Sequence, residues 1–167
     1  MSFWSFFDRV FLSVAIAELG RSFLATIHGI YYIKVFLYNY GLDQEWLTTA
    51  QIIYLVWNSV NDPIFGMLQD IGCGGHPLVA WLRVRRKVFL FCGPFMALSF
   101  MLFWVPWAQA PPAPRWVVGL HLVTSLVFYD GVYSLVFSAH AAMVAEATTS
   151  HEGRARILLF KDVAGLL

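Results

Sequence analysis

The sequence predicts an all-α, polytopic membrane protein. Hydrophobic residues make up 59% of the 167-residue chain and charged residues only 13%, with a mean hydropathy of +0.66, a balance that a water-soluble domain of this size does not sustain. Apolar stretches of bilayer-spanning length recur along the chain, separated by short segments rich in glycine, proline or charge. Lysine and arginine gather in alternate loops, as the positive-inside rule requires. A formal charge of +1 without a basic surface helix argues against a nucleic-acid partner. Cys73 and Cys92 give neither a disulfide framework nor a metal spacing. There is no nucleophile with base and orienter and no phosphate loop, so neither an enzyme nor a cofactor is expected.

The first span is placed at residues 10–38. MSFWSFFDRV lacks the basic region and cleavage site of a signal peptide, so this run is expected to stay in the mature chain. Glu18, Arg21, Ala25, His28 and Tyr32 recur at three- and four-residue steps and form one polar face turned to neighbouring helices or a cavity. Glu18 and Arg21 can pair across one turn, either as self-neutralising charges or as part of a ligand site. For His28, a packed, satisfied ring is set against a ligand position.

After the loop NYGLDQEW, with Gly41 as breaker, the second span covers residues 48–70. It carries Asn58, Asn61 and Asp62 where hydrocarbon is expected. A carboxylate at such a depth costs roughly 2.5–3.5 kcal/mol on insertion scales, so Asp62 is expected to face a polar crevice shared by spans one, two and four. Asn58 stands one turn before it. Gln51 and Gln69, at seven-residue steps, extend the polar stripe, and Pro63 lets the helix bend.

Glycines 72, 74 and 75 with Pro77 mark an irregular loop that ends in Arg83, Arg85, Arg86 and Lys87. This cluster is read as a topology signal and a headgroup contact. A third span follows at residues 88–107, with Gly93, Ala97 and Ser99 as small surfaces for helix contact and Trp104 and Trp107 at an aromatic belt. Beyond the stiff AQAPPAPR segment, the fourth span at residues 116–144 places Asp130, Ser134, Phe137, Ser138 and Ala141 on one face. For Asp130 a helix-packing or gating bond is weighed against a ligand role.

A polar turn, ATTSHEGRAR, leads into Ile157–Leu167, whose eleven residues are too few to cross a bilayer. The chain is therefore expected to be a fragment or truncated form, with a fifth span started and cut. The loop charges put the N-terminus and both basic loops in the cytoplasm, with Arg21 and Asp62 in the inner halves of their spans, where the two could meet.

The segment WNSVNDPIFGMLQD, followed by RVRRK before the next span, resembles the second helix and following loop of the glycoside-pentoside-hexuronide:cation symporters, a branch of the major facilitator superfamily typified by the melibiose permease. LVWNSVNDPIFGMLQD, ALSFMLFWVPW and LVFYDGVYSLVF are similar to segments of the transmembrane protein 180 group, also called the major facilitator domain-containing 13 proteins. The resemblance implies a fold of two six-helix bundles rocking about a midplane site, of which residues 1–167 form part of the N-terminal bundle. Four complete transmembrane helices and the start of a fifth are expected.

It also implies a solute:cation symporter working by alternating access, with a sugar-like or amphipathic, lipid-like solute. The cation, Na+ or H+, falls to Asn58 and Asp62, although Asn58 stands where the symporters carry an acid. The solute falls to Arg21 and Ser22 at the first-helix position of the resemblance, and to His28 and Asp130 from the polar faces of spans one and four. Ser22 and Phe137, however, stand where the sugar symporters carry acids, and Asp130 does not replace the acid missing at Phe137. Glu18, Asp70, Arg85, Arg86, Glu146, Arg154 and Arg156 take structural or gating roles. The implied partners are the lipid bilayer of a plasma membrane or endomembrane, a small-molecule solute and the remaining C-terminal helices of the same protein. The same departures leave open a transporter-like protein with a structural or signalling role.

Overall fold

A computed structural model of the chain describes residues 9–71, 80–108 and 114–166. The N-terminal MSFWSFFD, Cys73 with the glycines and proline of the second loop, and most of the proline-rich segment lie outside the described residues. Those residues form five α-helices and no strand: α1 (Arg9–Lys34), continued by a π-helical turn (Val35–Asn39), α2 (Gln44–Asp70), α3 (Arg85–Met101), α4 (Arg115–Glu146) and α5 (His151–Leu166). A 3-10 turn, Trp81–Arg83, precedes α3. Two helical stretches, Phe11–Asn39 and Arg115–Glu146, are long and apolar enough to cross a membrane by length and composition. The chain divides into two compact units, residues 1–27 with 141–167, and residues 28–140.

In the first unit, Val14, Val144 and Ile157 form a small buried core against which Phe11 packs. The rings of Phe11 and Phe160 stack with centroids 5.5 Å apart. The last helix starts earlier than the apolar pattern suggested. Ser150 accepts a hydrogen bond from the Gly153 amide (3.0 Å), and Thr148 accepts one from Ser150 N (3.2 Å). These hydroxyls satisfy amides at the start of α5 and launch it at His151. Arg154 and Arg156 therefore sit in the first turns of a helix rather than in a polar turn, and Arg156 pairs with Glu152.

In the second unit, Asp43 caps α2 by accepting from Trp46 N (2.9 Å), and Gly41 takes a φ of +68° just before it. A Cβ at that φ costs roughly 1–2 kcal/mol, so Gly41→Ala is expected to lose about 1 kcal/mol in thermal unfolding of the purified protein. An unchanged midpoint would mean that the turn adopts another conformation.

Helices α2 and α4 run side by side in the same direction. Trp46 lies against Gly119, Trp57 against Gly131, and Gln69 Nε2 donates to the Leu135 carbonyl (2.8 Å). The close approach rests on Gly119 and Gly131. At Gly93 nothing among the described residues lies within reach of an added Cβ, whereas Ser99 is buried. The core of this unit is aromatic, with Phe36, Phe100, Phe103 and Tyr129 buried among Leu122 and Leu126. Outward lie Ile52, Leu55, Val56, Val60 and Met67 of α2 and Leu90, Phe91, Phe95 and Leu98 of α3. Such exposed apolar faces suit a hydrocarbon surround rather than water.

Candidate functional site

The buried face of α2 carries Leu47, Ala50, Asn61 and Gln69. Asn61 is 1% exposed, whereas Asp62, about 100° further round the helix, is exposed. Sequence reasoning placed Asp62 in the crevice. The structure puts its neighbour at the centre of the buried arc and Asp62 at its edge, on the side of half-buried Gln51 and Asn58. Of the polar stripe, Gln51, Asn58 and Asp62 thus form a rim, whereas Gln69 and the Asn61 amide beside the stripe take the interior. Leu47, Tyr54 and Asn61 follow one another at seven-residue steps and share a face, but that spacing alone does not say that this face turns inward.

Asn61 Nδ2 donates to Asp130 Oδ2 at 2.6 Å, and the Tyr54 hydroxyl donates to Asp130 Oδ1 at 3.3 Å. Asp130 and Ser134, one turn apart on α4, are both 7% exposed. Asp62 lies within electrostatic reach of Asp130 and Tyr54. The Asn61 Oδ1 atom is buried and has no hydrogen-bond partner among the described residues. The centre therefore presents a carboxylate held by two donors, an unpaired amide oxygen and a second carboxylate at the rim. Tyr54 and Asn61 are members that sequence reasoning did not assign. Of the face expected on α4, Phe137 turns outward, and Ser138 bonds back to the Ser134 carbonyl at 2.8 Å.

His28 is packed rather than hydrogen-bonded. Its ring stacks on Tyr32 (4.5 Å) and meets Phe103 (4.7 Å) and Tyr129 (4.8 Å), and its buried Nε2 has no partner among the described residues. Tyr32 in turn accepts from Gln51 Nε2 at 2.6 Å. A second histidine, His121, stacks on Trp107 (4.8 Å), with Nε2 2.6 Å from the Leu102 carbonyl. Tyr40 donates to the Phe103 carbonyl (3.2 Å), and burial raises its phenol above the usual range. These two side chains satisfy carbonyls left open where α3 ends.

In the other unit, buried Glu18 pairs with Arg21, whose Nε donates to Oε2 at 3.2 Å. Ser22 Oγ donates to the Gly165 carbonyl at 2.9 Å. Asp70 pairs with Arg85 at 2.8 Å across the loop from α2 to α3, and Arg86, Glu146 and Arg154 are exposed. Among the described residues no group of three or more His, Cys, Asp or Glu is placed to hold a metal ion.

The MFS/sugar transport protein profile matches residues 13–167, nearly the whole chain. The chain belongs to this family. It is similar to transmembrane protein 180 of Mus musculus, with 33% identity over 146 residues, covering 80% of this chain and 26% of that protein. It is likewise similar to transmembrane protein 180 of Gallus gallus, with 31% identity over 146 residues, 82% of this chain and 27% of that protein. The chain thus spans about a quarter of the length of the curated relatives it matches. No solved structure matches it. Membership of this family makes the chain a membrane protein of a transporter superfamily, and its place in the transmembrane protein 180 group agrees with the segments singled out above.

Proposed function

We propose that the chain forms the N-terminal part of a secondary active transporter that moves a small solute with a cation by alternating access. The observation that carries this reading is the buried Asp130 carboxylate shared with Asn61 between α2 and α4. Ionisable groups at membrane depth are costly and concentrate on ion and substrate paths. Asn58 and Asp62 are the proposed cation ligands, and the unpaired Asn61 oxygen beside Asp130 supports that placement, because hard cations take carboxylate and amide oxygens. Na+ or H+ is the proposed coupling ion. Arg21, Ser22, His28 and Asp130 are proposed to line the path of a sugar-like or amphipathic, lipid-like solute. Glu18, Asp70, Arg85, Arg86, Glu146, Arg154 and Arg156 would take structural or gating roles through the transport cycle. The proposed orientation has the N-terminus in the cytoplasm, in the plasma membrane or an endomembrane.

Uptake of labelled sugars and lysolipids into vesicles holding the full-length protein tests this reading. Asp62→Asn is expected to reduce cation-driven uptake to background. Equal uptake by both proteins would remove Asp62 from the mechanism.

A second reading, a transporter-like membrane protein with a structural or signalling role, is favoured by a different observation. Arg21 and Ser22 are engaged within their own unit, by Glu18 and by the Gly165 carbonyl. Thermal unfolding of the full-length protein across a solute panel separates the two. A ligand at a hundred times its Kd stabilises by about 2.7 kcal/mol, and silence across the panel supports the second reading.

A further inference from the structure

Beside the 3-10 turn and the first half of α3 lies an apolar cleft of about 540 Å3, lined by Trp81, Lys87, Phe91, Cys92 and Phe95. Lys87, Phe91 and Phe95 follow one another at four-residue steps and so share a face of α3, spanning about 12 Å along its axis. Phe91 and Phe95 are 57% and 58% exposed, and Leu98 continues the same outward surface. The cleft thus has a cation at one end and hydrocarbon along its length.

The charges around that end are unbalanced. Between Asp70 and Asp130 the sequence contains no acidic residue. Asp70 is taken by Arg85. Arg83, Arg86 and Lys87 are exposed and have no ion-pair partner among the described residues. Arg86 and Lys87 stand in the first turn of α3, where the helix dipole disfavours cations, and the N-cap Val84 offers no side-chain acceptor. An anionic group above the cleft would relieve both the charge excess and the dipole.

We propose that this cleft binds one anionic phospholipid, with an acyl chain along Trp81, Phe91 and Phe95 and the headgroup phosphate on Lys87, flanked by Arg83 and Arg86. Charge favours this occupant: a neutral phospholipid would fill the apolar part but bring no net charge to set against the three cations, and none of the described acidic residues pairs with them. A tryptophan at the mouth suits the level of the headgroups. Each cation close to an anionic surface strengthens association about fivefold.

The test uses the full chain extracted from vesicles of equal parts phosphatidylcholine and phosphatidylserine, with retained lipids counted by native mass spectrometry. One phosphatidylserine is expected to stay bound, preferred over phosphatidylcholine by at least about tenfold. Combined Arg83→Gln, Arg86→Gln and Lys87→Gln should bring that preference close to one, and Lys87→Arg should keep it. Phe91→Trp, which fills the cleft and leaves the charges in place, should reduce retention of both lipids. Equal retention of the two lipids, or a preference unchanged in the triple variant, overturns the proposal. No retained lipid also overturns it and leaves the cleft to a neighbouring helix.

Discussion

Replacing Asn61 by leucine is expected to lower the stability of the purified protein by about 2 kcal/mol, because a buried carboxylate loses its shorter hydrogen bond. Asp130 is 7% exposed and receives the Asn61 amide at 2.6 Å. Leucine fills similar space but donates nothing, and the remaining bond from Tyr54 is longer at 3.3 Å. Asn58→Leu, at a half-buried rim position, should stay within about 0.5 kcal/mol. Combining Asn61→Leu with Asp130→Leu should restore part of the loss, since removing both partners leaves no orphaned group. The size of the coupling carries further information. Neutral interhelical bonds in a bilayer average about 0.6 kcal/mol, whereas bonds to an ionised group reach about 1.5–3 kcal/mol. A value near 2 kcal/mol therefore identifies an ionised Asp130, and strictly additive single losses would mean that the two side chains do not touch in the membrane.

Gly119→Ala should be the most disruptive glycine-to-alanine change among the described residues, at about 1–3 kcal/mol. A Cβ there would stand 2.3 Å from Trp46 Cε3 and 2.5 Å from Cδ2. The indole is a broad, rigid body at the first turn of α2, so it can clear the methyl only by tilting away and opening the crossing of the two helices. Shortening the indole, as Trp46→Leu, should recover much of the loss in the double variant. Gly93→Ala is the matched control. It meets open space and should be neutral or stabilising by up to about 1 kcal/mol, the helix-propensity gain. Equal thermal midpoints for Gly119→Ala and Gly93→Ala would show that Trp46 does not seat on α4.

Both predictions concern the contact of α2 with α4, and that contact is where sequence reasoning and structure part. Helix periodicity identified Asp130 and the polar stripe of α2, because spacing within one helix is local and fixed at 3.6 residues per turn. It could not say which edge of the stripe turns inward. Asn61 and Asp62 are adjacent and both polar, and only the position of α4 makes the first buried and the second a rim residue. In the same way, Gly93 and Gly119 look alike in an apolar run, and a close approach depends on what the neighbouring helix places opposite each.

Two other features have causes of opposite range. The fifth helix begins at His151 because Thr148 and Ser150 satisfy amides at its start, a capping signal stronger than the apolar pattern used to place it. Ser22, assigned a solute role by resemblance, donates to the Gly165 carbonyl, more than a hundred residues away in sequence. No spacing rule reaches that far.

By itself the sequence determined an all-helical membrane protein, the order of its apolar stretches, the turn at Gly41 and the family to which it belongs. Each of these follows from composition, local backbone preference or a contiguous motif. The tertiary structure alone decided that Asn61, Tyr54 and Asp130 meet, that Asp62 stays at the edge, and that the lysine and phenylalanines of α3 border a cleft. The physical reason is that burial and hydrogen bonding between helices depend on which face each presents to the other, and helices far apart in the chain settle that only when they pack.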